Sequence, residues 1–284
     1  SLLGWDEQVN LPQNSAGQRA QQMATLSEMH HQLASDSAIE PLLLELEADW
    51  EHLTPQEQTV AKHTRKDYDR ATRLPADYVT EKAILDSEAY HAWVEARENN
   101  DFPAFAPFLK RQVAMAKRGA ELLGHGDNPY DYQIDLFDPG MNAETIEGLF
   151  SRLKEELVPL AQSILNSPVK AKTEQLKGFP IDKQERFLKE VTEILGFDYQ
   201  RGRIDVAVHP FCSGNAADTR LTTRFHEDVP LDSLFSSIHE TGHGLYEQGL
   251  PIDQLHNALG QAVGMGIHES QSRLWENQVS RSRE

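Results

Sequence analysis

The sequence predicts a mainly α-helical protein with one small β-sheet placed directly before a His-Glu-x-x-His stretch. Three observations carry that expectation: apolar residues recurring every three to four positions through the first two thirds of the chain, helix start and stop signals around them, and a single clear period-two stretch just after residue 200. Composition sets the outer bounds. The 284 residues are enough for a sizeable core, and 27 Lys and Arg against 45 Asp and Glu leave a net charge of −18. Acidic and basic residues are interleaved, so the surface should repel phosphate backbones and anionic lipid; neither nucleic acid nor a membrane is expected as a partner. No run of about 18 apolar residues is present. The one cysteine, Cys212, cannot form an internal disulfide, which fits the reducing cytoplasm.

A first helix is expected over about 15–34. Thr54-Pro55-Gln56-Glu57 then offers a capping hydroxyl, a proline at the first helical position and a glutamate three past the cap. That signature starts a helix running to about Arg73, which Pro75 ends. From Ala76 to Glu98, Tyr78, Ala83, Leu85, Tyr90 and Val94 fall near one stripe, and further helices are expected over 104–123, 143–165 and 182–195. Alternation marks Arg203 to Val208 as a strand, with Leu221 to Phe225 as its partner across the loop Ser213-Gly214-Asn215. No repeat, low-complexity tract or glycine/serine linker divides the chain, so 1–284 reads as one helical domain. It opens on SLLGW without methionine and stops at SRSRE inside a helical pattern, so it is expected to be a segment of a longer protein, incomplete at its C-terminus and at its extreme N-terminus.

The chemistry concentrates in SIHETGHGLYEQG, residues 237–249. A helix brings side chains four apart to one face, where His239 and His243 can grip one metal ion. Glu240 then lies beside the ion, where a carboxylate can take a proton from an activated water and deliver it to a leaving amine. Chance alone supplies such a pair in roughly one sequence in twenty of this composition, so the spacing needs support. His268-Glu269-Ser270-Gln271 provides it: Glu269, 26 residues after His243, offers a third ligand, with Glu276 and Glu247 as competitors and a solvated helix carboxylate as the ordinary alternative. Two imidazoles and one carboxylate leave an open position, as catalytic sites do.

His209-Pro210-Phe211, Asp218-Thr219-Arg220-Leu221-Thr222, His239-Glu240-Thr241-Gly242-His243 and His268-Glu269-Ser270-Gln271 occur here in the order and spacing of the M32 metallocarboxypeptidases, the carboxypeptidase Taq family, which the chain resembles over essentially its whole length. The opening LLGWDEQVNLP, the stretch Trp93-Val94-Glu95-Ala96-Arg97 and the helix after Pro139-Gly140-Met141 are similar too. The resemblance implies a many-helix, gluzincin-like fold with a deep groove and a small sheet at its floor. It implies a homodimer and release of single amino acids from peptide C-termini. By it, His239, His243 and Glu269 are metal ligands and Glu240 the general base. One divalent ion per chain is expected, zinc first, with cobalt or manganese acceptable to the same donors. The family also carries an Ile/Val-Arg-x-x-Ala-Asp motif, whose arginine is thought to hold the substrate carboxylate and which these residues do not include.

Substrate contacts are expected from His209, Arg220 and His268. His209 can donate to substrate or be a structural histidine at a strand end. Arg220 can fork a carboxylate, or Asp218 can hold it two residues away, while Asp218 and Thr222 brace the strand; that strand, if at an edge, can also pair with an extended peptide. His268 either orients the neighbouring ligand or meets substrate. Cys212 has no His/Asn partner that would make it a nucleophile. His30, His31, His63 and His91 lack a carboxylate at ligand spacing and read as surface or packing residues. A catalytically inactive helical metal-binding scaffold and a zinc endopeptidase stand as alternatives to the carboxypeptidase.

Overall fold

A computed structural model gives the structure of residues 2–124, 128–169 and 172–282. Among these, eleven α-helices run in chain order: α1 Leu2–Val9, α2 Ala16–Ala34, α3 Ile39–Ala48, α4 Pro55–Arg73, α5 Ala76–Glu98, α6 Phe102–Leu123, α7 Pro129–Phe137, α8 Ala143–Leu165, α9 Ile181–Ile194, α10 Pro230–Gly249 and α11 Met265–Arg273. A π-helical turn, Leu274–Val279, continues α11. Strands β1 Gly202–Val206, β2 Cys212–Asn215 and β3 Asp218–Thr223 lie between α9 and α10. The fold is therefore mainly α with a small sheet next to the histidine helix. The expected helices are α2, α4, α5, α6, α8 and α9. Helices α1, α3 and α7, of eight, ten and nine residues, are too short for periodicity to reveal.

Local chemistry sets the boundaries. At α4, the Thr54 hydroxyl accepts from the Glu57 amide at 3.3 Å and Glu57 Oε2 accepts from the Thr54 amide at 2.8 Å, closing the capping box read from sequence. Helices α5 and α6 pack together around Tyr78, Leu85 and Met115, and α2 lies against α5, where both helices bury alanines, Ala20 and Ala24 on one and Ala89 and Ala96 on the other. By contrast α8 buries no residue and carries Leu149, Leu153, Leu157 and Leu160 at the surface.

The sheet differs from expectation. Ser213-Gly214-Asn215 is not a loop but most of β2, and the order is β1-β3-β2, with β3 parallel to β1 and antiparallel to β2. The loop-like residues encode a hairpin instead. Asn215 Oδ1 accepts from the amides of Ala217 (2.9 Å) and Asp218 (3.2 Å), and Gly214 adopts φ +124°, where a Cβ would stand 1.9 Å from the Asp218 carbonyl. The expected 221–225 strand is thus the middle strand, beginning at Asp218, and offers no free edge to a peptide; the edges are β1 and β2.

Two contacts fix the rest around this sheet. Helix α1 is stapled by Trp5, which is buried beneath the guanidinium groups of Arg203 (4.9 Å) and Arg220 (4.2 Å), while Asp6 pairs with Arg19 of α2 and Glu7 accepts from Ser87 of α5. Helix α10 lies over β3, where Leu221 is fully buried and Gly244 lets Phe197 and Leu221 reach the helix backbone. Farther along, α10 crosses α11 at Gly242, where a Cβ would meet Ser272 Cα at 2.5 Å and the Gln271 carbonyl at 2.6 Å. Since backbone cannot yield as a side chain can, Gly242→Ala should lower stability by about 1–3 kcal/mol, read as a fall in denaturation midpoint with unchanged helical content. A variant as stable as the parent would show that this crossing is looser than the structure has it.

Candidate metal centre

Pro230 begins α10 at its first position, and Asp232 in the first turn accepts from Arg224 at 2.8 Å, so the helix starts firmly against the end of β3. Nine residues on, His239 and His243 stand one turn apart with ring centroids 4.9 Å from each other. The close crossing at Gly242 brings in Glu269 from α11. Its Oε2 lies 3.1 Å from His243 Nε2 and 3.5 Å from His239 Nε2, and the three ligand atoms all fall within 4.8 Å of one another. A tetrahedral ion at roughly 2.0–2.1 Å from its ligands keeps them about 3.4 Å apart, so these side chains fit one ion with little movement.

Each member is held from behind. Ser272 Oγ and Arg273 Nε bond the Glu269 carboxylate at 3.1 and 2.7 Å. Burial acts upward on Glu269, but these bonds and the charge of His239 leave its carboxyl below the usual value. Glu276, one of the competing third ligands, stands behind His239 instead, accepting from Nδ1 at 2.8 Å while Arg273 (3.1 Å) and Arg281 (2.6 Å) hold it. Burial raises its carboxyl, and the bonds and charges of His239 and Arg281 more than offset that. Glu247, the other competitor, accepts from His268 Nε2 at 2.8 Å. Burial, then the charges of His268 and His239, push His243 down to about 4, so its ring is a neutral donor at neutral pH. Glu240 is 6% exposed; burial, then the charges of Glu269 and Glu276, push its carboxyl up to about 8.

Glu240, His239 and His243 line a cavity of about 540 Å³ together with apolar residues that include Phe137, Phe211 and Met265. His209 and His268 line it as well; Arg220 does not. Arg220 forks Asp218 through Nε (2.9 Å) and Nη2 (3.0 Å) and covers Trp5, so it serves the junction of α1 and the sheet. Cys212 also lines the cavity; burial, then the charges of Glu240 and Glu247, push its thiol well above its ordinary value. His91, read as a surface or packing residue, meets the largely buried Glu7 side chain at 3.1 Å. Sequence reasoning missed the place of Glu276, although seven residues after Glu269, two helical turns, put it on the same face.

The cavity wall at His209-Pro210-Phe211 is set by one buried hydroxyl. Thr222 Oγ1 accepts from the Phe211 amide at 2.9 Å and donates to the His209 carbonyl at 3.2 Å, while the Thr222 amide donates to the Phe211 carbonyl at 2.8 Å.

Residues 1–284 match the family model described as carboxypeptidase Taq (M32) metallopeptidase. The chain is 38% identical over 295 residues to thermostable carboxypeptidase 1 of Thermus thermophilus, covering 99% of this chain and 58% of that protein. It is 33% identical over 285 residues to carboxypeptidase 1 of Bacillus subtilis, covering 100% and 57%. Among solved structures, the crystal structure of BsuCP is similar with a TM-score of 0.95 at 33% identity, and that of an M32 carboxypeptidase from Deinococcus radiodurans R1 with 0.87 at 38%; both comparisons cover 99% of this chain and 57% of the other. The chain thus spans less than two thirds of the length of each of these relatives.

Thr222→Val keeps the shape of the clamp and removes its two hydroxyl bonds. It should lower stability by about 1–3 kcal/mol, since the His209 carbonyl and Phe211 amide lose buried partners, and hydrogen exchange at Phe211 should quicken selectively. Unchanged exchange there would show that Thr222 does not set this wall.

Proposed function

The chain belongs to the carboxypeptidase Taq (M32) metallopeptidase family, and on that premise we propose that the intact protein is a metal-dependent carboxypeptidase that releases single amino acids from the C-termini of peptides. The observation that carries this reading is the meeting of His239, His243 and Glu269 around one point, with Glu240, next to His239 on α10, lining the same cavity and in no hydrogen bond to another described residue.

In this reading the two imidazoles and Glu269 hold one divalent ion, zinc first, with cobalt and manganese also compatible with these donors. When bound, the ion supplies Lewis-acid polarisation of the scissile carbonyl and activation of a water molecule. Glu240, whose carboxyl stands at about 8 without the ion, would be ionised beside that positive charge, take the proton from the water and return it to the departing amine, a transfer that its place on α10 keeps aimed at one point. Among the described residues the cavity wall carries no arginine or lysine, so contact with the substrate's terminal carboxylate falls, within this chain, to His209. Arg220 and His268 are assigned no direct substrate contact: Asp218 and Trp5 occupy the first, His243 and Glu247 the second. A homodimer belongs to the same proposal on the strength of the family resemblance, and residence in the cytoplasm on the single cysteine. No helix of the described residues is long and apolar enough to cross a membrane.

The test is hydrolysis of an amino-blocked dipeptide by the intact, zinc-loaded protein. The free acid should be cleaved and the C-terminal amide spared. Cleavage of both would favour an endopeptidase, and tight zinc binding without cleavage the inactive scaffold. Glu240→Gln should retain zinc by elemental analysis and lose activity by about 100-fold or more. His239→Ala, His243→Ala and Glu269→Ala should each lower zinc content. Zinc at a hundredfold excess over its Kd should stabilise the protein by about 2.7 kcal/mol, a gain that a chelator reverses. A Glu269→Ala protein with undiminished affinity would move the third-ligand role elsewhere.

A further inference from the structure

Helix α10 runs on past His243 to Gly249, and its next turn carries Tyr246 and Glu247. Glu247 has no part in the reaction proposed above, yet its side chain is only 15% exposed and it is committed to a single partner ring. Glu247 Oε1 lies 2.8 Å from His268 Nε2. The other nitrogen of that ring, Nδ1, lies 2.5 Å from His243 Nδ1, and the two imidazoles are stacked with centroids 4.6 Å apart. The third nitrogen contact in the line is His243 Nε2 to Glu269 at 3.1 Å.

A neutral imidazole has one N–H, and an ionised carboxylate can only accept. With a metal ion held between His243 Nε2 and Glu269, that nitrogen presents its lone pair, so the N–H of His243 is on Nδ1 and is donated to His268 Nδ1. His268, accepting there, turns its own N–H at Nε2 to Glu247. On the reading of the site as a metal centre, we infer that Glu247 and His268 are a positioning relay: they fix His243 in the tautomer and ring orientation that ligates through Nε2. Tyr246 holds the relay in place. Its ring lies 4.8 Å from that of His268, and its hydroxyl accepts from the Val263 amide at 3.3 Å, tying the relay to the segment that leads into α11. The second ligand is held differently. Glu276 bonds His239 directly, so the two imidazoles are oriented by separate branches, one of a single link and one of two links in series.

Series and parallel arrangements leave different marks on the intact protein. Zinc affinity, measured by competition with a chromophoric chelator, should fall about 10–100-fold in Glu247→Gln and in His268→Phe, which keeps a flat ring against Tyr246. The double variant should be no weaker than the weaker single variant within about 3-fold, because breaking a chain at two links costs no more than breaking it once. Glu276→Gln added to Glu247→Gln should instead contribute its own loss in full. In the zinc-loaded parent, ¹⁵N-edited NMR should show His243 protonated at Nδ1 and His268 at Nε2, and Glu247→Gln should give a mixture of His268 tautomers. Should His268→Phe fail to fold, Glu247→Gln and the NMR tautomer decide the matter. Affinities of both relay variants within about 3-fold of the parent, fully multiplicative losses in the double variant, or an Nδ1-protonated His268 in the zinc-loaded parent would each overturn the relay while leaving the metal site standing. A parent that binds no zinc would overturn the metal site and the relay with it.

Discussion

The chemistry of this molecule depends on how closely two helices pass. At Gly242 the backbone of α10 touches that of α11 with no side chain between them, and that separation sets where Glu269 stands relative to His239 and His243. The position that lacks a side chain lies inside the His-Glu-x-x-His stretch itself, one residue before the second imidazole. Steric permission and coordination chemistry are therefore written into the same five residues, and neither would serve without the other.

Around that crossing, charge is managed by pairing. The site gathers Glu240, Glu247, Glu269 and Glu276, four carboxylates that would repel one another in a poorly hydrated interior. Three of them are tied to cations or imidazoles: Glu269 to Arg273, Glu276 to Arg273 and Arg281, and Glu247 to His268. Burial, then the charges of Glu269 and Glu276, raises the Glu240 carboxyl with no such partner among the described residues to offset them, whereas those of Glu269 and Glu276 fall. The same division separates the group suited to move a proton from those suited to stay charged.

The long helices were legible because each is long enough for an apolar stripe to repeat and because their ends carry chemistry, as in the Thr54–Glu57 box and Pro75. The short helices were not, and β2 was misread because Ser213-Gly214-Asn215 has the composition of a loop while its pairing with β3 depends on residues several positions on. The clustering of His239, His243 and Glu269 could be proposed from spacing, since four residues on a helix fix a face. Which carboxylate closes the set could not be read from spacing alone, because Glu247, Glu269 and Glu276 are all reachable on paper and only the crossing angle of α10 and α11 sorts them. Arg220 shows the converse. Its pairing with Asp218, two residues away, stands among the readings of the sequence beside a substrate fork, but its cover of Trp5 depends on α1, more than two hundred residues earlier.

That last contact has a consequence for how the protein is made. Trp5 is made about two hundred residues before Arg203 and Arg220, whose guanidinium groups cover it, so at a synthesis rate of about 5–20 residues per second the indole waits on the order of 10–40 s for its partners. During that interval α1, an eight-residue helix too short to persist by itself, has only its links to α2 and α5 to lean on. Helix α1 is thus a clasp that closes over the sheet only after the sheet exists.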